Sequence, residues 1–491
     1  MAEMRRVEAI RASGAALTLL LGACSLAPPL VVPNIPTADA YKEAGPWTQA
    51  LPADRLPRDS WWMLYGNAEL GDLESRLLAG NPTLAAALAN YTQARALADQ
   101  ARAGLYPTLG INASVERDRE SVHAPLRSSL TPTYYDANTL GGAVSYELDL
   151  WGQIRNEVKA GEATAAATAA DLENARLSLS AQLTEDYIQL RSLDQDSAIL
   201  HETVEAYTRA LKLTKQRHDA GIAPGLDVSQ AETQLDAARS QAAQTLAQRA
   251  LLEHAIAALL GVSASTFSIK PQIVVITLPY IPSGVPATLL ERRPDIAAAQ
   301  RRMIAANANI GVARAAYFPT LTLGAQGGFQ STSVGNWLSA PSSFWAIGPN
   351  ALLSVFDGGL RRAQVAQARA EFDASSANYR AIVVGAFQQV EDSLATLNHY
   401  QKASVDEKAA VEAAQRTLDF ALALYKQGAT DYLTVVTSQA ALLQTQLEAL
   451  NLETVQLVAS VDLIRALGGG WEDSKDARSG ATMAAKREAG K

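Results

Sequence analysis

The sequence repeats itself, and this repetition constrains the fold more than any other feature. Matched landmarks occur in the same order in both halves of the chain, at a nearly constant spacing. Pro82 matches Pro294, and Pro107 matches Pro319, each 212 residues later. Gly221 matches Gly428, and Gly261 matches Gly468, each 207 residues later. The chain is therefore predicted to be a tandem duplication.

Each half has the same internal order, predicted as one helix, two strands and two very long helices. The first repeat spans 61–261 and the second 291–468, with an equatorial linker at 262–290. Neither residues 154–220 nor residues 361–427 contain a proline, so each stretch can run as one helix of about 65 residues. The return helix from Val228 to Leu259 has apolar residues at steps of three and four. Arg249 is the charged member of that series, and its head is expected in water.

Ala-rich faces decide between two arrangements of these helices. A long antiparallel coiled coil is the simpler one. Small residues beyond a single stripe instead allow each helix to touch neighbours on both sides, which favours a wall of helices curved into a tube.

The predicted strands alternate apolar and polar residues over about ten positions, which is typical of outer-membrane strands. On the strands alone, an ordinary half-buried sheet is the better interpretation. If the strands surround a pore, their polar residues line water, and these are Asn112, Ser114, Ser145, Glu147, Asp149, Thr322 and Gln326.

Membrane geometry adds a requirement for several copies. No apolar run reaches the roughly 18 residues of a spanning helix, so any crossing must use strands. Four strands cannot close a barrel, and an open edge in lipid leaves backbone N–H and C=O groups unpaired. The predicted fold class is therefore a mixed α/β membrane protein. In it, three chains form a twelve-stranded antiparallel barrel continuous with a long α-helical barrel.

The N-terminus has the pattern of an export signal. Residues 1–23 combine a basic start, a short apolar core and small residues. Cys24, the one cysteine of the chain, follows Leu21-Gly22-Ala23 as in a bacterial lipobox, which predicts acylation of its thiol and amino group. Ser25 at the next position implies sorting to the outer membrane, and 24–60 is expected to be an extended strap.

Four short motifs resemble those of the outer membrane factor family of TolC-like channels, in its lipoprotein branch that serves resistance-nodulation-division (RND) efflux pumps. They are Trp61-Trp62-Met63-Leu64-Tyr65-Gly66, Tyr146-Glu147-Leu148-Asp149-Leu150-Trp151-Gly152, Val355-Phe356-Asp357-Gly358-Gly359, and Tyr425-Lys426-Gln427-Gly428 followed by Tyr432-Leu433-Thr434-Val435. The resemblance covers nearly all of the mature chain. It implies a homotrimeric channel that docks onto an inner-membrane RND transporter through a periplasmic adaptor (membrane fusion) protein. It also implies no enzymatic activity and no cofactor apart from the covalent lipid on Cys24.

The resemblance also places a periplasmic gate at the helix reversals, which contain Gly221 and Gly428. It implies an apolar constriction at Leu433 and packing by Tyr425. Thr437 stands where relatives commonly have an Asp, so a carboxylate ring is not expected here. Asp227 and Asp431 lie near the same reversals, where solvated helix caps are the commoner explanation.

Other kinds of function find little support. With 42 basic and 50 acidic residues the chain carries a net charge of −8, and it has no basic tract for nucleic acid. The five histidines lack ligand spacing, so neither a metal nor a catalytic centre is predicted.

The main prediction is thus a passive outer-membrane conduit for small toxic compounds. An exit duct for type I protein secretion and a non-conducting, lipid-anchored coiled-coil spacer remain as alternatives. The sequence identifies neither the exported substrate nor the cognate pump. It gives no role to the tail at 469–491, which is expected to be disordered.

Overall fold

The computed structural model describes residues 25–36, 41–43, 60–281 except 124, 126, 127, 129 and 131, and 293–469. The predicted signal peptide, Cys24, much of the predicted strap and the tail from residue 470 lie outside the described residues.

Two long helix pairs and two strand pairs follow one another in the order that the repeat predicts. The α-helices are α1 (Ala68–Gly80), α2 (Pro82–Ala103), α3 (Gln153–Asp219), α4 (Gly225–Leu259), α5 (Pro294–Ala315), α6 (Leu360–Gln427) and α7 (Tyr432–Ala466). The strands are β1 (Thr108–Arg119), β2 (Tyr134–Glu147), β3 (Thr320–Ser331) and β4 (Ser343–Leu352). Short 3-10 helices are Trp61–Tyr65, Ala264–Thr266, Val334–Asn336 and Ala340–Ser342. With 67 and 68 residues in α3 and α6, and 35 in each of α4 and α7, the halves match closely and the predicted tandem repeat is confirmed.

The chain divides into two compact units, and each draws on both repeats. The described residues of the first fall within Met1–Asn34, Asn90–Thr168 and Ala298–Tyr379, and those of the second within Ile35–Ala89, Ala169–Ala297 and Arg380–Lys491. The units therefore do not follow the boundary between the repeats.

The first unit contains one antiparallel sheet with the strand order β1-β2-β3-β4. Its helical segments pack through alanines, with Ala160 and Ala163 of α3 against Ala305 and Ala308 of α5. Because such side chains are small, the helix backbones can approach closely.

The second unit contains the main apolar core. It includes Trp61, Trp62, Tyr65, Leu70, Leu77, Leu183, Tyr187, Ile188, Ile256, Ile281, Val390, Leu394 and Leu463. The Tyr65 hydroxyl lies 2.7 Å from the hydroxyl of Ser460, so its polar end is satisfied inside the core. None of the described helices is long and apolar enough to cross a membrane.

Arg249 departs from its sequence prediction, because its guanidinium is buried and not in water. Its Nε donates to Asp194 at 2.6 Å, and its two Nη groups donate to Glu253 and to the Ile269 carbonyl, each at 2.7 Å. The chain after α4 folds back over this position and supplies the carbonyl, a contact that helical periodicity does not reveal.

Candidate functional site

The sheet carries a polar face and an apolar face. Residues paired across antiparallel strands share a face, as do alternate residues along a strand. The register pairs Asn112 with Gly141, Glu147 with Thr322, and Gln326 with Ala143. It follows that six of the predicted lumen residues occupy one polar face of the sheet, namely Asn112, Ser114, Ser145, Glu147, Thr322 and Gln326.

The opposite, apolar face is exposed. Leu109, Ile111, Val115, Trp345 and Ile347 are between 69% and 81% exposed. Large apolar side chains exposed together on one face are unusual on a protein surrounded by water. The face is therefore suited to lipid.

Glycines on the polar face let the strands approach one another. Gly141 and Gly328 are paired at the centre of the sheet. A Cβ on Gly328 would lie only 2.1 Å from the carbonyl oxygen of Leu140. No larger residue fits at position 328 unless the backbone of the neighbouring strand β2 moves.

The sheet has two outer strands, β1 and β4, which each pair with one neighbour within the described chain. The free edge of each strand presents backbone N–H and C=O groups. These groups need partners if the edges lie in hydrocarbon.

Asp149 is not a lumen-facing strand residue, contrary to the sequence prediction. It lies two residues beyond the end of β2. Its carboxylate accepts hydrogen bonds from the backbone N–H groups of Ile154 and Arg155 at 3.2 and 2.9 Å and from Arg155 Nε at 3.1 Å. The free N–H groups at the start of α3 attract the carboxylate, so Asp149 serves this helix terminus.

The helix reversals lie where the sequence predicts turns. Gly221 follows α3 with φ of 73°, and Gly428 follows α6 with φ of 75°. Left-handed backbone of this kind favours glycine, which ends each helix. Asp431 caps α7 by accepting hydrogen bonds from the N–H of Thr434 at 3.0 Å and its hydroxyl at 2.7 Å.

Three side chains connect the two reversals in what we call the tip cluster: Arg217, Tyr425 and Tyr432. The Arg217 guanidinium lies 4.7 Å from the ring centroid of Tyr425 and donates to the Tyr425 carbonyl at 3.2 Å. The rings of Tyr425 and Tyr432 are 5.2 Å apart. Arg217, at the end of α3, thereby binds the C-terminal end of α6 and holds the two helix hairpins together.

Asp227, in the first turn of α4, is electrostatically coupled to this cluster. Partial burial and the negative charge of Asp431 raise its pKa, and they outweigh the opposing effects of Arg217 and the Tyr425 hydroxyl. Burial raises the pKa of Tyr432 to about 12, so this hydroxyl stays protonated at neutral pH.

The predicted gate residues fall into two environments. Tyr425 is buried at 3% exposure within the tip cluster, whereas Leu433 is 50% exposed. Thr437 lies one turn after Leu433 on α7, also exposed, and its hydroxyl donates to the Leu433 carbonyl at 3.0 Å. The structure thus joins Tyr425 to Arg217 and leaves Leu433 and Thr437 on a free helix surface. Sequence reasoning missed Arg217, because a basic residue in the last turn of a helix is common for dipole reasons alone.

Among the residues that the structure describes, no group of three His, Cys, Asp or Glu side chains could hold a metal ion.

Comparison with known proteins gives matches over nearly the whole chain. The sequence profile of the family described as "Outer membrane efflux protein" matches residues 73–262 and 285–469. The chain is 30% identical to outer membrane protein OprJ of Pseudomonas aeruginosa, over 96% of this chain and 98% of OprJ. It is 32% identical to the solvent efflux pump outer membrane protein SrpC of Pseudomonas putida, over 93% and 98% of the two chains. Among solved structures, the outer-membrane channel OprN matches with a TM-score of 0.83 at 29% identity, covering 91% of this chain and all of OprN.

Proposed function

Because this chain belongs to the outer membrane efflux protein family, we propose that it is the outer-membrane channel subunit of a tripartite efflux system. Three copies form a passive conduit through which small toxic compounds leave the cell. The observation that carries this proposal is the four-stranded sheet with one polar face, one exposed apolar face and two free edges.

Closure of the sheet requires other copies. The free edge of β4 in one copy pairs with the free edge of β1 in the next, and three copies give twelve strands. The strands contain 12, 14, 12 and 10 residues. A tilted strand needs about 9–11 residues to cross the hydrocarbon layer, so each of the four is long enough.

The long helices extend the conduit into the periplasm, and the tip cluster is its closed gate. Opening separates the two hairpins that Arg217 holds together. Leu433 and Thr437, on the exposed surface of α7, meet their counterparts from the other copies and narrow the opening. The apolar ring that the Leu433 side chains form restricts flow by excluding water.

A periplasmic adaptor protein and an inner-membrane RND transporter complete the pump and supply its energy. The relative SrpC is named for solvent efflux, which suggests small apolar compounds as cargo. The channel itself is not an enzyme and holds no cofactor. Acylation of Cys24 anchors each copy in the outer membrane.

Ion conductance across planar lipid bilayers tests the proposal. The purified full-length protein should migrate as a heat-sensitive trimer on gels and conduct in discrete steps. A stable monomer without conductance would refute the channel and favour the lipid-anchored spacer. Transport assays with an RND pump and with a type I secretion transporter then distinguish drug efflux from protein export.

A further inference from the structure

The first residues after Cys24 are bound to helices of the first unit. The Ser25 hydroxyl donates to the side-chain oxygen of Asn156 at 3.0 Å. Arg314 donates to the Leu26 carbonyl at 3.1 Å, and Asn307 donates to the Pro28 carbonyl at 2.9 Å. Three hydrogen bonds within four residues therefore fix the path of this segment.

The residues that bind the segment are not ordinary surface side chains. Asn156 and Asn307 are each only 3% exposed. The Asn156 amide donates to the Gly152 carbonyl at 2.7 Å, and this bond turns its oxygen toward Ser25. Buried amides are costly unless they are hydrogen-bonded, so both positions depend on the segment for part of their bonding.

Gly311 of α5 adds a steric requirement. A Cβ at this position would lie 2.6 Å from the Asn156 side-chain nitrogen and 2.8 Å from the backbone nitrogen of Ala27. The segment thus passes so close to α5 that only glycine fits beneath it.

This binding site lies where helices meet strands. Asn156 is in the first turn of α3, nine residues after the end of β2, and Arg314 is in the last turn of α5, six residues before β3 begins. Residues 25–28 are therefore held at the helix-proximal end of the sheet.

We propose that Asn156, Asn307, Gly311 and Arg314 form a docking site, here called the N-terminal cradle, for residues 25–28 of the mature chain. The cradle thereby holds the segment that directly follows the proposed lipid attachment residue, Cys24. Docking of the segment does not depend on the acylation of Cys24.

A nitroxide spin label on Pro29→Cys measures the docking directly. Cys24 is the one cysteine of the chain and its acylated thiol is blocked, so the label attaches at position 29. The full-length protein is reconstituted into phosphatidylethanolamine–phosphatidylglycerol vesicles. Four proteins are compared in this labelled background: the otherwise unchanged chain, Gly311→Val, Asn307→Leu and Gly385→Val. Gly385 is a helical glycine with no atom near its missing Cβ, so it is the matched control.

The label should move slowly in the otherwise unchanged protein and in the Gly385→Val control. Gly311→Val and Asn307→Leu should shorten its rotational correlation time several-fold, while unchanged single-channel conductance shows that the pore still forms. Equal mobility in all four proteins would refute the cradle, and Asn307→Leu alone decides the question if Gly311→Val fails to assemble. The mass of the N-terminal peptide reports acylation separately. An unmodified Cys24 would refute the lipid anchor, and the four mobilities are then measured in a Cys24→Ser background, in which position 29 alone carries the label and docking is still tested.

Discussion

At the scale of single residues, buried charges in the second unit fix the chain that follows α4. Arg191 donates to the Lys270 carbonyl at 2.9 Å, and Asp194 accepts from the Gln272 N–H at 3.1 Å. Arg249 shares Asp194 with Arg191 and also binds the Ile269 carbonyl. Irregular backbone without its own ladder of hydrogen bonds thereby gains partners from two long helices.

Arg249→Met should destabilise the protein strongly. The substitution keeps the aliphatic volume but leaves Asp194 and a buried carbonyl short of a donor, a loss of about 3–5 kcal/mol in the free energy of unfolding. Arg239→Met on the same helix removes an exposed pair with Asp236 and should cost less than about 1 kcal/mol. Thermal unfolding of the two variants measures the difference, and equal melting temperatures would argue against a structural role for the buried network.

Glu74 makes the stability of the second unit depend on pH. Its side chain is fully buried, and burial raises its pKa to about 8, against the opposing effect of the hydrogen bond that the Thr184 hydroxyl donates to its carboxylate at 3.1 Å. The folded state therefore retains a proton that the unfolded chain releases near pH 4.5. Stability is full below that pH and is lost as the pH rises through about 8.

Glu74→Gln should abolish this loss, because the amide stays neutral. The melting temperature of the wild-type protein should fall between pH 5 and pH 9 by more than that of Glu74→Gln, corresponding to several kcal/mol. Exposed Glu202→Gln is the control and should keep the wild-type pH dependence. Parallel curves for wild type and Glu74→Gln would contradict a neutral, buried Glu74.

At the scale of elements, local sequence patterns were sufficient to predict the helices, the strands and the turns. The heptad positions Leu235, Ala238 and Ile256 are buried as their spacing predicts. The strand alternation correctly grouped Asn112 with Gln326, because the period of two and the register act together. Arg217 and Asp149 lay beyond sequence reasoning. Their roles depend on which helix terminus folding brings next to each side chain.

Arg217→Ala should weaken the closed state of the proposed gate. It removes the cation–π contact with Tyr425 and a charged hydrogen bond to the end of α6, together roughly 2 kcal/mol per subunit. Open probability in planar bilayers should rise at least tenfold. Arg209→Ala removes a more exposed pair with Glu205 on the same helix and should leave gating unchanged. Similar open probabilities in wild type and Arg217→Ala would place the gate elsewhere.

At the scale of the whole molecule, the environment of the sheet determines what each face can tolerate. Ile111 and Asn112 are neighbours on β1 and lie on opposite faces. If three sheets close into a barrel, Ile111 meets lipid and Asn112 meets the aqueous pore. If a single sheet lies in water, both exposed positions accept a charge equally well.

An arginine substitution at position 111 and another at position 112 distinguish a barrel in lipid from a single sheet in water. Ile111→Arg should cost about 2–4 kcal/mol per strand near the centre of the bilayer. This cost should sharply reduce the heat-sensitive trimer recovered from outer membranes. Asn112→Arg should assemble normally but place three positive charges around the pore, shifting its ion selectivity toward anions in reversal-potential measurements. Equal trimer yields for the two variants would mean that the apolar face does not contact lipid, and the twelve-stranded arrangement would then be wrong even if the helices assemble as proposed.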